Sequence, residues 1–195
     1  MSIEFELKYR ATPEILAAVA ADVKGSIRCF AMATTYYDTP NGALAQQRCT
    51  LRRRMENKKS VCTLKMPAGA LGRAEFELEC GSIQIAVPEL CKLSGFTELE
   101  NYGSALTEVC GARFDRVAIT VDAGDCVVEL ALDTGVLTGG GREEPLCELE
   151  VELKEGSRDA AFAYAKALAF RYCLVPETQS KFRRASLLAG GNHHG

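Results

Sequence analysis

A strict alternation of apolar and charged residues is the feature that most constrains this chain. The segment Ile3–Arg10 reads IEFELKYR. Because successive side chains of a strand point to opposite faces, this period of two predicts a strand with one apolar and one charged face. The charges are also segregated by sign, since Glu4 and Glu6 share one strand face and Arg52 and Arg54 share another.

This segregation leaves two architectures open. An amphipathic sheet could turn its charges to water, but same-face neighbours lie only about 6.5–7 Å apart, where like charges repel. A closed barrel could instead hold its charges inside and pack helices on its apolar outer face. Inward charges are costly unless they are paired or bind ions. A metal-bound polyphosphate would suit such an interior, because carboxylates hold divalent cations and Arg and Lys hold phosphate oxygens.

The same patterns predict an α+β domain with one large sheet or barrel. Strands are expected at Ile3–Arg10, Arg28–Tyr37, Cys49–Met55, Val61–Met66, Arg73–Cys80, Arg113–Asp122, Cys126–Asp133 and Leu146–Lys154. Helices are expected after Thr12, in short pieces between Pro88 and Cys110, and from Ser157 to Tyr172. We expect Ser180–Arg184 to form a last strand or turn.

Composition excludes several classes of protein. The 195 residues suit one domain, no apolar run is long enough to cross a bilayer, and no signal peptide is visible. The nine cysteines are odd in number and form no CxxC pair, which indicates reduced thiols in a cytoplasmic protein and not a zinc site. Both histidines, His193 and His194, lie in the tail, so a His-based triad in the body of the chain is excluded.

The motifs resemble those of the CYTH superfamily, the triphosphate tunnel metalloenzymes. The hallmark ExExK strand is present as Glu4–Lys8, and the other motifs follow in the expected order from residue 3 to about 186. They are YYDTP at Tyr36–Pro40, LRxR at Leu51–Arg54, TLK at Thr63–Lys65, RxExE at Arg73–Glu77, acidic strands at Val128–Gly135 and Cys147–Leu153, and a basic motif at Ser180-Lys181.

The resemblance implies a closed antiparallel β-barrel of about eight strands, which forms a charged tunnel with helices packed on its outside. It implies triphosphate substrates and a required Mg²⁺ or Mn²⁺. The EPLCELEVEL segment and the SKxxR end are most similar to bacterial inorganic triphosphatases, which often carry a C-terminal CHAD domain. We therefore expect a CYTH tunnel domain over 1–188 and a flexible tail over 189–195, either standing alone or separated from such a domain.

The resemblance also assigns roles to the charged residues. The expected metal ligands are Glu4, Glu6, Asp133 and two of Glu148, Glu150 and Glu152. The expected phosphate clamp consists of Lys8, Arg52, Arg54, Lys65, Arg73, Arg113, Arg116, Lys181 and Arg184. Catalytic roles are expected for Lys8, Glu75, Glu77, Glu129 and Asp133, although Glu75, Glu77 and Glu129 could equally serve as salt-bridge partners of the basic rows.

The expected activity is metal-dependent hydrolysis of inorganic tripolyphosphate to pyrophosphate and phosphate. Within the fold, a thiamine triphosphatase or a class IV adenylyl cyclase would use the same motifs. A non-catalytic polyphosphate-binding module is a further alternative, against which the intact carboxylates argue. We expect a small-molecule partner, no nucleic acid or membrane, and a monomer or homodimer, because the net charge of −3 does not suit nucleic-acid binding.

Overall fold

The computed structural model describes residues 2–69 and 72–190, and only the backbone of residues 2–4. In this part of the chain, the strands are β1 (Ser2–Glu4), β2 (Glu6–Arg10), β3 (Ser26–Asp38), β4 (Thr50–Glu56), β5 (Lys59–Pro67), β6 (Arg73–Glu79), β7 (Thr107–Asp122), β8 (Cys126–Gly139), β9 (Arg142–Gly156) and β10 (Val175–Pro176). The helices are α1 (Pro13–Asp22), α2 (Ala43–Gln46), α3 (Ile83–Ser94), α4 (Glu98–Tyr102), α5 (Arg158–Arg171) and α6 (Lys181–Leu188), with a 3₁₀ turn at Gly103–Ala105.

The strands form one antiparallel sheet in the order β1-β6-β5-β4-β3-β7-β8-β9-β2-β10. Hydrogen bonds alone do not close this sheet into a barrel. However, β1 pairs with β6 on one side, and β2, the next strand along the chain, pairs with β9 on the other. Only Phe5 separates β1 from β2, and its carbonyl accepts a hydrogen bond from Leu153. Residues 2–10 therefore join the two ends of the sheet and give it a barrel-like form.

The apolar faces of the strands point outward and are covered by helices. Helices α1 and α5 pack on one outer wall around Val19, Leu149 and Leu168. Helices α2, α3 and α4 pack on the opposite wall around Leu64 and Leu90. Two separate cores thus lie outside the sheet, and the charged faces are left for the interior.

Helix α6 belongs to neither outer core, because it packs among side chains on the inner face. Phe182 lies 5.2 Å from the ring of Tyr36, and Ala185 is buried in the same cluster as Leu137. The hairpin between β8 and β9 holds the far end of α6, where the backbone of Gly139 closely approaches Ala185. The helix consequently closes part of the barrel.

Several expected elements differ from those observed. The expected strand Ile3–Arg10 is divided at Phe5 into β1 and β2. Counted as one, these two segments complete a ring of eight strands in the described residues, and the two-residue β10 pairs with β2 beside that ring. The third helix begins at Ile83 instead of near Pro88, because Ile83, Val87 and Leu90 already bury one helical face.

The expectation of a last strand or turn at Ser180–Arg184 is wrong. The hydroxyl of Ser180 accepts a hydrogen bond from the backbone N–H of Arg183, and this N-cap starts α6 at Lys181. Within the described residues, no helix is both long and apolar enough to cross a membrane. Residues 191–195 of the predicted flexible tail, which include His193 and His194, lie outside the described residues.

Candidate functional site

A cavity of about 570 Å³ lies inside the barrel. Nine basic and seven acidic side chains line it, so the interior is far more charged than the net charge of the chain indicates. The basic residues are Lys8, Arg28, Arg52, Arg54, Lys65, Arg73, Arg116, Lys154 and Lys181, and the acidic residues are Glu6, Glu56, Glu75, Glu77, Glu129, Glu150 and Glu152.

An acidic cluster of Asp133, Glu148 and Glu150 adjoins the cavity, and Glu150 is its member in the cavity lining. Asp133 pairs with Glu148 across β8 and β9, and Glu150 is the next residue along that face of β9. Carboxylate oxygens of these three residues lie within 4.8 Å of one another, and Asp133 and Glu148 are fully buried. This all-oxygen donor set fits Mg²⁺ or Mn²⁺, which prefer carboxylate and water ligands.

Two cations of the cavity lining contact the acidic cluster directly. Arg116 donates through two nitrogens to the Asp133 carboxylate, both at 2.7 Å, and through Nη2 to Glu150 at 2.9 Å. The Nζ of Lys181 lies 2.8 Å from Asp133 and 2.9 Å from Glu150, and it also contacts Glu148. The three carboxylates and two cations form a network of buried ion pairs.

The buried charges shift one another's pKa values. Burial opposes the ammonium form of Lys181, but Glu150, Asp133 and Glu148 outweigh it and raise its pKa. For Glu148, burial is the largest effect and raises the pKa of the carboxyl. For Glu150, burial acts in the same sense, but Lys181, Arg116 and Lys8 outweigh it and hold the pKa well below its usual range.

Arg184 supports the acidic cluster from behind the cavity lining. Its Nη1 lies 3.1 Å from Glu148, and its Nη2 lies 2.7 Å from Glu144. Because Arg184 and Lys181 occupy the first turn of α6, the helix brings two cations to β9. The predicted basic motif therefore acts through a helix.

A second group of paired charges lies on β4, β5 and β6. Arg52 and Lys65 lie 3.2 Å and 3.3 Å from the same oxygen of Glu75. Arg52 also lies 3.7 Å from Glu77, which accepts a 2.8 Å hydrogen bond from the hydroxyl of Thr63. Both glutamates thus orient cations toward the cavity.

Two further arginines extend this basic wall. Arg54 donates through Nε to Glu56 at 2.7 Å, and burial together with the neighbouring Arg52 lowers its pKa. Arg73 donates through Nη2 to Thr50 at 3.2 Å, while its buried Nε makes no hydrogen bond within the described residues. An anion bound in the cavity would provide an acceptor for that nitrogen.

The basic and acidic walls lie opposite each other. In the ring of strands, four steps separate β4 from β9 in either direction, through β3, β7 and β8 or through β5, β6 and the β1–β2 strand. The row of Arg52 and Arg54 therefore faces the row of Glu150 and Glu152 across the cavity.

The remaining predicted site residues lie as follows. Lys8 contacts Glu6 at 2.9 Å, and both line the cavity beside Glu150 and Glu152, their partners on β9. Glu129 lies 2.7 Å from Arg28 and 3.5 Å from Lys154. The backbone of Glu4 pairs with Arg73 on β6, but its side chain lies outside the described residues.

Arg113 does not lie with the other predicted clamp residues. It is exposed, pairs with Glu143 at 2.6 Å and is absent from the cavity lining. Arg113 and Arg116 are three positions apart on β7, so their side chains point to opposite faces, and only Arg116 points inward.

Sequence reasoning missed an aromatic and apolar wall that lines the same cavity. Phe30 and Met32 come from β3, Phe114 from β7 and Phe182 from α6. Arg116 and Lys181 lie 5.6 Å and 5.4 Å from the centroid of the Phe114 ring. Alternation along β3 from Arg28 through Phe30 to Tyr36 was the signal that could have found this wall.

A family model and a curated relative match most of this chain. The model of the CYTH domain family matches residues 2–186. An inorganic triphosphatase from Haemophilus influenzae is 31% identical over 162 residues, which is 80% of this chain and 46% of that protein. The chain thus spans about half the length of this curated relative.

Solved structures resemble the whole described barrel. A candidate adenylyl cyclase from Hippeastrum, reported to have a dominant triphosphatase activity, aligns with a TM-score of 0.68 and 20% identity over 93% of this chain and 94% of its own. A candidate adenylate cyclase from Bacillus halodurans aligns with a TM-score of 0.65 and 19% identity over 94% and 97%. At these identities, the likeness concerns the fold alone.

Proposed function

Because this chain belongs to the CYTH domain family, we propose that it is a divalent-metal-dependent triphosphatase that hydrolyses inorganic tripolyphosphate to pyrophosphate and phosphate. The observation that carries the proposal is the acidic cluster of Asp133, Glu148 and Glu150, whose member Glu150 lines the same cavity as the opposing arginine row of β4. The name of the Haemophilus relative supports the same substrate.

The basic side chains of the cavity would bind the triphosphate. Arg and Lys form strong charge-assisted hydrogen bonds with phosphate oxygens, and a tripolyphosphate offers several such oxygens in a row. Arg52, Arg54, Lys65 and Arg73 form one wall of the clamp, and Arg116, Lys8 and Lys181 contribute from the acidic side. Phosphoryl transfer depends mainly on positioning and on stabilisation of charge, which this arrangement would supply.

The acidic side chains would hold Mg²⁺ or Mn²⁺. Asp133, Glu148 and Glu150 are the proposed ligands. Glu152 on the same strand as Glu150, Glu6 opposite Glu152 on β2, and Glu4 on β1 are the further proposed ligands. A divalent cation held there supplies charge neutralisation at phosphate oxygens and eases water attack.

The other acidic residues have a positioning role in this proposal. Glu75 and Glu77 hold Arg52 and Lys65 in the cavity, and Glu129 holds Arg28 at another part of its wall. Such ion pairs fix long side chains before substrate binds, which lowers the entropy lost on binding. Lys8 is proposed to contact substrate beside Glu6 and Glu150.

A phosphate-release assay on the whole chain tests the proposal. We expect release from tripolyphosphate with Mg²⁺ or Mn²⁺ and none with a chelator. Glu150→Gln should lower kcat/KM by about 10²–10³-fold, the loss typical of removing one catalytic electrostatic contact. Lys92→Met, on the exposed surface of α3, is the matched control and should leave the rate unchanged.

If no divalent cation supported turnover, the enzyme proposal would be contradicted. The remaining alternative would be a non-catalytic polyphosphate-binding module. Loss of activity in Lys92→Met equal to that in Glu150→Gln would contradict the assigned site.

The apolar wall favours organic triphosphates as a second class of substrate. Phe30, Met32 and Phe114 line the cavity together, and aromatic faces stack on bases and other flat rings. ATP and thiamine triphosphate therefore belong in the same assay. Conversion of ATP to cyclic AMP, in preference to release of phosphate, would identify an adenylyl cyclase and contradict the triphosphatase proposal.

The proposal also covers the compartment, the ligand and the oligomeric state of the protein. A tunnel domain over 1–188 would act in the cytoplasm on a small-molecule triphosphate, as a monomer or homodimer and without nucleic acid. Free thiols at all nine cysteines support a reducing compartment.

A further inference from the structure

Lys181 lies where the carboxylates of the acidic cluster converge. Its Nζ contacts all three residues, at 2.8 Å from Asp133, at 2.9 Å from Glu150 and in close contact with Glu148. The side chain is only 10% exposed. A Mg²⁺ ion would need oxygen ligands at about 2.0–2.1 Å from the same three carboxylates. The ammonium and a divalent cation would therefore compete for the same space.

Charge balance also indicates that the Lys181 ammonium and a divalent cation exclude each other from the acidic cluster. Arg116 already pairs with Asp133 and Glu150, and Arg184 already pairs with Glu148. With Lys181, three cations match the three carboxylates of the cluster. A divalent cation that entered while Lys181 stayed would place like charges side by side in a buried site, where their repulsion is poorly screened.

The ammonium of Lys181 can move from the acidic cluster to another position in the cavity. It is the first residue of α6, and both of its neighbours, Ser180 and Phe182, line the same cavity. A lysine carries its charge on a flexible four-carbon stem, so its ammonium can change partners while the helix stays in position. The α6 backbone is held separately, through Phe182 against Tyr36 and Ala185 against Gly139.

We propose that Lys181 exchanges partners: it neutralises the Asp133–Glu148–Glu150 cluster in the free protein, leaves it when a divalent cation binds, and then pairs with a phosphate of the triphosphate. This inference rests on the proposed function, because it takes the cation and the triphosphate as ligands of the cavity. It makes the binding of the two ligands cooperative, since the triphosphate holds the ammonium that the cation displaces.

Binding measurements test the exchange without any need for turnover. Free Mn²⁺ can be followed by electron paramagnetic resonance, with and without imidotriphosphate, an analogue whose bridging oxygens are replaced by NH. For the unaltered chain, we expect the analogue to tighten Mn²⁺ binding on the order of tenfold, within the usual range of coupling between sites. Lys181→Met should bind Mn²⁺ alone more tightly and should lose most of this coupling.

Lys65→Met is the matched control. Lys65 is similarly buried in the same cavity, but its ammonium lies 3.3 Å from Glu75 and not beside the acidic cluster. We expect a much smaller change in Mn²⁺ affinity without the analogue. Weaker or unchanged Mn²⁺ binding by Lys181→Met, or equal tightening by Lys65→Met, would overturn the proposal.

A labelling experiment on the unaltered chain covers the case in which Lys181→Met fails to fold. Reductive methylation followed by peptide mass spectrometry reports the reactivity of each lysine amine. Mn²⁺ alone should increase labelling of Lys181 several-fold relative to Lys65, and imidotriphosphate should reverse the increase. Unchanged labelling with saturating Mn²⁺ would overturn the proposal, whereas absence of triphosphate hydrolysis alone would contradict only the proposed function.

Discussion

At the scale of single residues, the position of a charge along a strand decides whether it belongs to the cavity. Even-numbered residues of β4 and β9, such as Arg52 and Glu150, point inward, whereas Arg53 on β4 reaches out to the carbonyl of Gly81. The same alternation separates Arg116, paired with Asp133, from Arg113, paired with Glu143 at the surface. Charge alone therefore cannot identify a member of the site.

Arg116 and Arg113 provide a direct test of this sorting. Arg116→Met removes a cavity guanidinium that contacts Asp133 and Glu150, and we expect kcat/KM for tripolyphosphate to fall by about 10²–10³-fold. Arg113→Met removes an exposed guanidinium and should stay within about threefold of the unaltered chain, since exposed ion pairs contribute little. Equal losses in steady-state kinetics of the two variants would contradict the sorting.

Glu177 carries a pH-dependent contribution to stability. It is buried, and Arg10 and the backbone N–H of Gln179 donate to it at 2.6 Å and 2.8 Å. Burial opposes ionisation, but these hydrogen bonds outweigh it and lower the pKa of Glu177. The ionised form therefore stabilises the fold above the ordinary glutamate pKa of about 4.3, and this stabilisation is lost as the pH falls through the lower folded value.

We expect Glu177→Gln to lower the free energy of unfolding by about 1–2 kcal/mol at pH 7, because a hydrogen bond to a charged group is lost. The difference from the unaltered chain should shrink as the pH is taken below about 4. Urea unfolding at pH 7, 5 and 3 measures both effects. Glu79→Gln, which loses an exposed ion pair with Lys59, is the control. A loss of unfolding free energy in Glu177→Gln that stayed constant with pH would contradict the role of the ionised carboxylate.

At the scale of elements, the strands follow from the sequence and α6 does not. Alternation predicted every strand of the main ring, but it gave β7, β8 and β9 too short. The parts of these strands that alternation did not predict contain Gly111 in β7, Gly135 in β8 and Pro145 in β9. These residues break the alternation without ending the strands. The cap at Ser180 belongs to a helix whose packing on the inner face of the barrel is a tertiary contact that no local pattern reveals.

The contact between the β8–β9 hairpin and α6 is expected to hold Lys181 and Arg184 in place. A Cβ atom added at Gly139 would lie 2.3 Å from the carbonyl oxygen of Ala185 and 2.9 Å from the backbone nitrogen of Ala189. Gly139→Ala must therefore displace the helix or the hairpin. We expect a loss of about 1–3 kcal/mol in the free energy of unfolding, as for other overpacked sites, together with a higher KM for tripolyphosphate.

Gly81→Ala is the matched control, because a Cβ there meets nothing within 4 Å and its φ is not positive. Thermal unfolding and steady-state kinetics compare the two variants. The same stability and KM in both would show that the close approach at Gly139 does not position α6.

At the scale of the whole molecule, the barrel reverses the usual arrangement of a soluble sheet. Its apolar strand faces point outward against helices, and its charged side chains line the interior. Buried ion pairs contribute little to stability after desolvation, so this interior is better explained by binding than by folding. The acid and base rows on opposite strands, and not the net charge of −3, determine which ligands the cavity attracts.

The sequence predicted this overall arrangement because the rows recur on strand after strand. It could not predict which cation pairs with which carboxylate. Those pairs depend on register, such as Asp133 opposite Glu148, and on the entry of Lys181 from a helix.

The most direct test of the charged barrel as an enzyme is a phosphorus-31 NMR time course of tripolyphosphate with the whole chain and Mg²⁺ or Mn²⁺. We expect the tripolyphosphate signals to decay while pyrophosphate and phosphate accumulate in equal amounts, and we expect Glu150→Gln to abolish most of this conversion. Tripolyphosphate that stays intact with either cation, while the protein remains folded, would contradict this expectation.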